Sequence, residues 1–172
     1  GQGTVGLEIA EQCAELGVEP RLALVCCGGG GLVSGSAIAL THRFPEIAVH
    51  AVEPEDFDDT ARSLRSGVRE HVSDDARSIC DALQAHSPGE LTFAINQKLL
   101  APGVVVSDAD VRAAMRFAFR HLKLVVEPGG AVALAAVLAG RVETAGRVSA
   151  VVISGGNVDL ELYAEIQRET SG

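Results

Sequence analysis

Four consecutive glycines, Gly28–Gly31, join two apolar segments, and this junction constrains the fold more than any other part of the sequence. The segment before them, Leu22–Cys26, is short and continuously apolar, as in a parallel strand buried on both faces. The segment after them, Leu32–Phe44, has apolar residues at helical spacing and is stopped by Pro45. The sequence therefore predicts a strand, a glycine turn and a helix. Backbone N–H groups that converge at such a helix N-terminus can bind an anion, for which phosphate is the natural candidate.

Two familiar phosphate-binding motifs do not fit this junction. A P-loop needs a lysine directly after the glycines, and the two lysines, Lys98 and Lys123, are far away in the sequence. The dinucleotide pattern G-x-G-x-x-G would place its third glycine on Val33 or Ser34. The alternative is a flexible linker or a plain tight turn, but a linker is not expected directly between two strongly apolar segments.

Length, composition and charge restrict the class of protein. With 172 residues, of which 47% are hydrophobic, the chain can bury a sizeable core, and we expect one domain over residues 1–172. No apolar run is long enough to span a membrane and no leader is visible, so we expect a cytoplasmic location. The net charge of −9 disfavours nucleic acid and anionic membranes as partners. Small molecules or further copies of the chain are the expected partners.

Apolar spacing along the chain predicts an α/β fold. Further strands are predicted at Ile47–Val52, Val104–Val106 and Val148–Ile153. Further helices are predicted at Thr4–Leu16, Thr60–Arg65, Ser78–Ala85, Leu91–Leu100, from Ser107 through Leu122, at Ala131–Ala139 and at Asp159–Arg168. Ser107 and Asp110 resemble a capping box, and the helix at Ala131–Ala139 is apolar all round, which indicates burial. Strands that alternate with helices indicate a parallel sheet with helices on both faces.

The four cysteines and five histidines do not suggest a metal centre or a catalytic thiol. Adjacent cysteines on a strand point to opposite faces, and the histidines are scattered in the sequence. The cysteines are therefore interpreted as buried thiols: Cys13, Cys26, Cys27 and Cys80.

Three predicted strand ends carry residues suited to a ligand. They are the glycine turn, Glu53, and the segment Ser154-Gly155-Gly156-Asn157. Because ligands of open parallel sheets bind beyond the carboxyl ends of the strands, these residues should meet at one edge. Two glycine turns and a carboxylate at that edge favour a phosphate-bearing cofactor.

Five groups of motif residues follow one another along the chain: Gly1-Gln2-Gly3-Thr4, Gly28-Gly29-Gly30-Gly31-Leu32 with Ser34-Gly35, Val52-Glu53-Pro54, Val126-Glu127-Pro128 with Gly130-Ala131, and Ser154-Gly155-Gly156-Asn157-Val158-Asp159. Their order and spacing resemble pyridoxal-phosphate-dependent threonine/serine dehydratases and serine racemases, which have the fold called type II or tryptophan-synthase-β-like. The resemblance implies that the chain is the C-terminal half of such a two-domain enzyme, within its large cofactor-binding domain. It also implies that the Schiff-base lysine belongs to an N-terminal half that is not in this sequence.

The resemblance implies roles for particular residues in binding pyridoxal phosphate. The implied cofactor-binding residues are Gly28, Gly29, Gly30, Gly31, Leu32, Glu127, Ser154 and Gly155. The glycines would hold the phosphate, Ser154 would hydrogen-bond the pyridine nitrogen, and Glu127 would lie beside the ring. Without the resemblance, Ser154 could equally be the N-cap of the last helix, and Glu127 an exposed carboxylate before a proline.

A divalent cation is implied by the same resemblance. Glu53, the carbonyl of Phe57 and Asp59 lie where serine racemases and some dehydratases bind Mg²⁺ or Ca²⁺ through oxygen ligands. The alternative is that the acidic residues here only accompany a helix N-terminus. One departure from the family is Ala82, which replaces the glycine of an Ala-Asp-Gly motif and leaves the substrate open.

These observations lead to a functional expectation. We expect deamination of L-threonine or L-serine to a 2-oxo acid and ammonia by a homodimer or tetramer. The alternatives are a serine racemase or 3-hydroxyaspartate dehydratase and, in a different class, a non-catalytic module that binds a phosphate ligand. We expect the chain alone to be inactive without the Schiff-base lysine, and no amino-acid-sensing domain after Gly172.

Overall fold

The computed structural model describes residues 1–169, in which helices and strands alternate along the chain. The helices are α1 (Thr4–Glu15), α2 (Gly31–Arg43), α3 (Asp59–Ser66), α4 (Glu90–Leu99), α5 (Asp108–Phe117), α6 (Pro128–Leu138) and α7 (Leu160–Arg168). The strands are β1 (Leu22–Cys26), β2 (Ala48–Pro54), β3 (Val104–Val106) and β4 (Ser149–Val151). No helix within residues 1–169 is both long enough and apolar enough to cross a membrane.

The four strands form one parallel sheet in the order β3-β2-β1-β4. Every residue of β1 is buried, which agrees with its continuous apolar sequence and its position inside the sheet. The register aligns Leu22 of β1 with Ala48 of β2 and with Ser149 of β4. The predicted α/β fold with a parallel sheet is therefore confirmed.

Helices cover both faces of the sheet because successive side chains of β1 point in opposite directions. Leu22, Leu24 and Cys26 pack into a core that includes residues of α5 and α6. Ala23 and Val25 pack into a second core with residues of α1 and α2. Helix α6 is buried from Pro128 to Ala136, which confirms that this uniformly apolar helix lies inside the molecule.

Several predicted boundaries needed correction. The helix predicted at Ser78–Ala85 is wrong, since the structure has only a 3₁₀ turn at Asp81–Leu83. Helix α5 begins with the predicted capping box of Ser107 and Asp110, but it ends at Phe117 and continues as a π-helical turn at Ala118–Leu122. Strand β2 continues past the predicted end and includes Glu53, because pairing with β3 extends to Pro54.

Strand β4 is shorter than predicted, since residues 152–159 are not helix or strand. This segment connects the carboxyl end of β4 to α7 and contains the second glycine turn. The glycine turn after β1 lies at the carboxyl end of the neighbouring strand, so the fold brings the two turns to the same edge of the sheet.

Candidate functional site

The first glycine turn connects β1 to α2 through a left-handed residue. Gly30 has a φ of +88° and is the N-cap of α2. A Cβ atom at this position would come within 2.9 Å of Thr92 Oγ1 and 3.0 Å of Asn96 Nδ2. Both the positive φ and the neighbouring side chains disfavour a larger residue, which explains why the N-cap of α2 is a glycine.

The backbone carbonyl groups and the backbone N–H groups of this turn differ in their hydrogen bonding. Carbonyl oxygens face protein donors: Gly29 O accepts from Thr92 Oγ1 at 2.7 Å, and Gly30 O accepts from Ser34 Oγ at 2.6 Å. Within residues 1–169, the backbone N–H groups of residues 28–32 donate no hydrogen bond to the protein. The first turn of α2 also carries no acidic side chain. The turn therefore presents a row of free donors together with the positive end of a helix, which is an arrangement suited to an anion.

A cavity of about 280 Å³ lies beside this turn. It is lined by Gln2, Cys26, Gly28, Gly29, Gly30, Gly31, Leu32, Ala82, Leu83, Glu127, Gly129 and Ser154. The structure thus brings together seven of the eight residues that the sequence predicted to bind the cofactor. The eighth, Gly155, is adjacent to the cavity, and its carbonyl oxygen accepts a hydrogen bond from the Glu127 N–H at 3.0 Å.

Ser154 is exposed and lines the same cavity as the first glycine turn. Its Oγ accepts a hydrogen bond from the Cys26 thiol at 3.1 Å. The alternative role as a helix cap is wrong, because Asp159 caps α7 by accepting a hydrogen bond from the Leu162 N–H at 2.9 Å. The Ser154 hydroxyl therefore does not cap α7.

Glu127 is a half-buried part of the cavity wall rather than an exposed carboxylate. Its Oε2 accepts a hydrogen bond from the Asn157 N–H at 2.9 Å, which ties the start of α6 to the second glycine turn. The simple pre-proline interpretation is therefore wrong.

Glu53 lies at the end of β2 and is completely buried. Its Oε1 accepts from the Thr60 N–H at 2.9 Å and its Oε2 accepts from the Ala61 N–H at 2.7 Å. Burial, followed by repulsion from Asp59, raises the pKa of Glu53 to about 8. Both oxygens thus bind the N-terminus of α3, while the acidic side chain remains in an environment that disfavours its charge.

Asp59 is the first residue of α3 and is also buried. Burial raises the pKa of Asp59 to about 6, and its Oδ2 has no hydrogen-bond partner in the described part of the chain. Phe57, in the preceding 3₁₀ turn, is buried as well. Across residues 1–169, no three His, Cys, Asp or Glu side chains are grouped to hold a metal, so any cation here would need backbone oxygen as well.

Most of the chain matches a known protein family. Residues 1–155 match the family model described as pyridoxal-phosphate dependent enzyme. The chain belongs to the pyridoxal-phosphate dependent enzyme family. This agrees with the resemblance seen in the sequence and with the fold.

Individual members of the pyridoxal-phosphate dependent enzyme family match almost the whole chain. A serine racemase from Schizosaccharomyces pombe is 39% identical over 165 residues, which are 95% of this chain and 49% of that protein. An L-threo-3-hydroxyaspartate ammonia-lyase from Saccharomyces cerevisiae is 36% identical over 166 residues, which are 96% of this chain and 49% of that protein.

A solved structure of the same family agrees closely with this fold. The threonine deaminase of T.th. superimposes with a TM-score of 0.87 at 40% identity, and the match covers 93% of this chain and 57% of that chain. The chain spans about half the length of the curated relatives it matches.

The structure adds residues to the candidate site that the sequence did not assign to it. Gln2 precedes α1, Gly129 lies in the first turn of α6, and Cys26 is the last residue of β1, yet all three line the cavity. Gln2 could have been indicated by its place in a family motif and Cys26 by its position at a strand end, whereas Gly129 only lies between two parts of a motif. Ala82 also lines the cavity, so the methyl group noted in the sequence lies against the space in which a ligand would bind.

Proposed function

We propose that the complete protein containing these 172 residues uses pyridoxal phosphate to deaminate L-threonine or L-serine to a 2-oxo acid and ammonia. The observation that carries the proposal is that the N–H groups of residues 28–32 donate no hydrogen bond within residues 1–169, and that these residues line one cavity together with Ser154. The expected assembly is a cytoplasmic homodimer or tetramer, in which an N-terminal half of the same chain completes each site. The family and the matched relatives support this proposal.

The first glycine turn fits a phosphate group. The carbonyl oxygens of Gly29 and Gly30 already accept from protein donors, so the N–H groups of residues 28–32 are the groups left to bind a ligand. A hydrogen bond to a charged group contributes about 1.5–3 kcal/mol to binding, and several N–H donors contribute together. The helix dipole adds about 2 kcal/mol at most. The turn would therefore hold the phosphate chiefly through its backbone.

Ser154 would hold the pyridine nitrogen. When bound, pyridoxal phosphate supplies an electron sink for the substrate carbon that loses its proton. A neutral hydroxyl donates to an unprotonated ring nitrogen, whereas a carboxylate would keep that nitrogen protonated and charged. A serine at this position would make the bound cofactor a weaker electron sink, which suits loss of the β-hydroxyl better than transamination.

Glu127 would lie beside the ring as part of the wall. Its carboxylate accepts a hydrogen bond from the Asn157 N–H, and its backbone N–H donates to the Gly155 carbonyl, so the residue is fixed through both its side chain and its backbone. A fixed wall keeps the ring from turning away from Ser154 and excludes water from that side.

The substrate is tested by assaying the complete protein with L-serine, L-threonine and 3-hydroxyaspartate. We expect pyruvate from L-serine and 2-oxobutyrate from L-threonine, each with ammonia. The alternative functions on the same scaffold are serine racemase and 3-hydroxyaspartate dehydratase, which the two curated relatives favour. D-serine without a 2-oxo acid, or activity on hydroxyaspartate alone, would replace the proposal with one of these. A purified protein without pyridoxal-phosphate absorbance would favour a non-catalytic phosphate-binding module.

We also propose that Glu53, the Phe57 carbonyl and Asp59 bind Mg²⁺ or Ca²⁺ in the complete protein. The buried Oδ2 of Asp59 lacks a partner within residues 1–169, and the two buried carboxylates repel each other, so a cation would satisfy both. Oxygen ligands of this kind are those that Mg²⁺ and Ca²⁺ prefer.

Asp59→Asn is therefore expected to weaken cation binding by about tenfold or more, because it removes a charged ligand from a buried site. Calorimetric titration of the complete protein with Mg²⁺ and with Ca²⁺ measures the effect. Asp58→Asn is the control, since the Asp58 carboxylate is paired with Arg62 at 2.7 Å and is not part of the proposed set. Identical titration curves for the parent and Asp59→Asn would remove the cation from the proposal.

A further inference from the structure

Cys26 is the last residue of β1 and reaches the cavity from the sheet. It is 4% exposed, and its Sγ lies 3.1 Å from Ser154 Oγ. The two residues are 128 positions apart in the sequence, so only the parallel pairing of β1 with β4 brings them together. The proposed reaction itself makes no direct use of this thiol.

The thiol is the donor in this contact. A hydroxyl oxygen is a good acceptor, whereas sulfur is a weak one, so the pair is best satisfied when the S–H points at Ser154 Oγ. Burial raises the pKa of Cys26 above its ordinary value, and nearby Glu127 raises it further, which outweighs the opposite effect of the Ser154 hydrogen bond. Cys26 is therefore a neutral thiol at physiological pH and keeps its proton.

A serine hydroxyl has one proton and two lone pairs. When the Cys26 thiol occupies one lone pair, the hydroxyl cannot turn its proton toward the sulfur without losing that hydrogen bond. The proton is then left for an acceptor inside the cavity. Successive hydrogen bonds also polarise one another, so a hydroxyl that accepts from a thiol becomes a better donor.

We propose that Cys26 is a positioning residue that orients the Ser154 hydroxyl as a hydrogen-bond donor to the pyridine nitrogen of the cofactor. The proposal rests on the proposed function, in which Ser154 binds that nitrogen. It adds a second residue, on a different strand, that determines how well Ser154 can do so. The ring nitrogen would therefore sit at the end of a chain of two hydrogen bonds, from Cys26 to Ser154 and from Ser154 to the ring.

The test uses the complete protein loaded with pyridoxal phosphate that carries ¹⁵N in the ring. The ¹⁵N resonance of a pyridine nitrogen moves when a hydrogen bond to it is made or lost, and this signal does not depend on turnover. We expect Cys26→Ala to move the resonance part of the way to its position in Ser154→Ala, and to weaken cofactor binding about threefold to tenfold, as for one lost hydrogen bond. Cys26→Ser restores a donor and should return both values toward the parent.

Cys80→Ala is the matched control. Cys80 is a fully buried thiol in the same core as Cys26, and it does not line the cavity. This variant should lower thermal stability to a similar extent as Cys26→Ala, because both leave a small gap in that core, but it should leave the resonance in place.

The outcomes separate this proposal from the proposed function. If Ser154→Ala leaves the resonance where it is in the parent, Ser154 does not bind the ring nitrogen, and the proposed function loses that assignment. If Ser154→Ala moves it but Cys26→Ala does not, only the role of Cys26 is overturned. An equal movement in Cys80→Ala would show a general disturbance of the core and would also overturn the role of Cys26.

Discussion

Gly31→Asp is expected to weaken the binding of pyridoxal phosphate to the complete protein by about a hundredfold or more, which corresponds to the loss of two charge-assisted hydrogen bonds. Gly31 is the first residue of α2, and a Cβ atom built there meets no other atom within 4 Å. An aspartate therefore fits without strain, but its carboxylate enters the space beside the free N–H groups. It would take their hydrogen bonds and repel the negatively charged phosphate.

The same substitution is expected to leave the protein without cofactor as stable as the parent or slightly more stable. A negative side chain in the first turn of a helix is favourable by about 0.3–1 kcal/mol. The two effects have opposite signs, so loss of binding cannot be attributed to unfolding. Thermal melting without cofactor and a binding titration followed by cofactor absorbance measure the two quantities.

Gly31→Asn is the matched control, since it has nearly the same size and polarity but no charge. We expect the asparagine variant to bind the cofactor markedly better than the aspartate variant. Equal binding by the two variants would mean that charge at the start of α2 is irrelevant, and the phosphate would then have to bind elsewhere.

The strand, the glycine turn and the helix could be predicted because short-range rules determine them. The alternation along β1 assigns Leu24 to one core and Val25 to the other, and both cores lie within this chain. The capping box at Ser107 is likewise readable from four consecutive residues. For such elements, the local pattern and the tertiary structure favour the same conformation.

The segment at Ser78–Ala85 shows where short-range rules fail. The Asp108 carboxylate, from the start of α5, accepts hydrogen bonds from Ser78 Oγ at 2.7 Å and from the Ile79 N–H at 3.0 Å. These long-range bonds hold the start of the segment in a non-helical conformation. Helical spacing alone could not reveal the competing partner, which lies about 30 residues further along the chain.

For the candidate site, too, the sequence predicted the features that local patterns determine and missed those that depend on distant residues. Glycines and a serine after strands indicate which edge of the sheet binds a ligand. The sequence does not indicate that Cys26 reaches Ser154, or that both oxygens of Glu53 bind the N-terminus of α3, because such contacts depend on how separate elements pack. The residue types were visible, and their partners were not.

The 172 residues alone are expected to produce no 2-oxobutyrate from L-threonine above the background of free pyridoxal phosphate. The proposed reaction needs an amine that binds the cofactor and moves protons at the substrate, and lysine supplies it in this family. Neither Lys98 nor Lys123, the two lysines of the sequence, lines the cavity. Lys98 is exposed near the end of α4, and the Nζ of Lys123 donates to the Arg120 carbonyl oxygen at 2.7 Å.

Because the glycine turn that we propose to bind phosphate lies within this chain, the expected loss concerns turnover and not phosphate binding. A titration of the isolated chain with inorganic phosphate should therefore still show binding that Gly31→Asp removes, while the 2-oxobutyrate assay stays at background. Lys98→Ala and Lys123→Ala decide the source of any turnover that does appear. If one of them abolished it, the reactive amine would lie within these residues, and the complete protein would not need an N-terminal half to supply it.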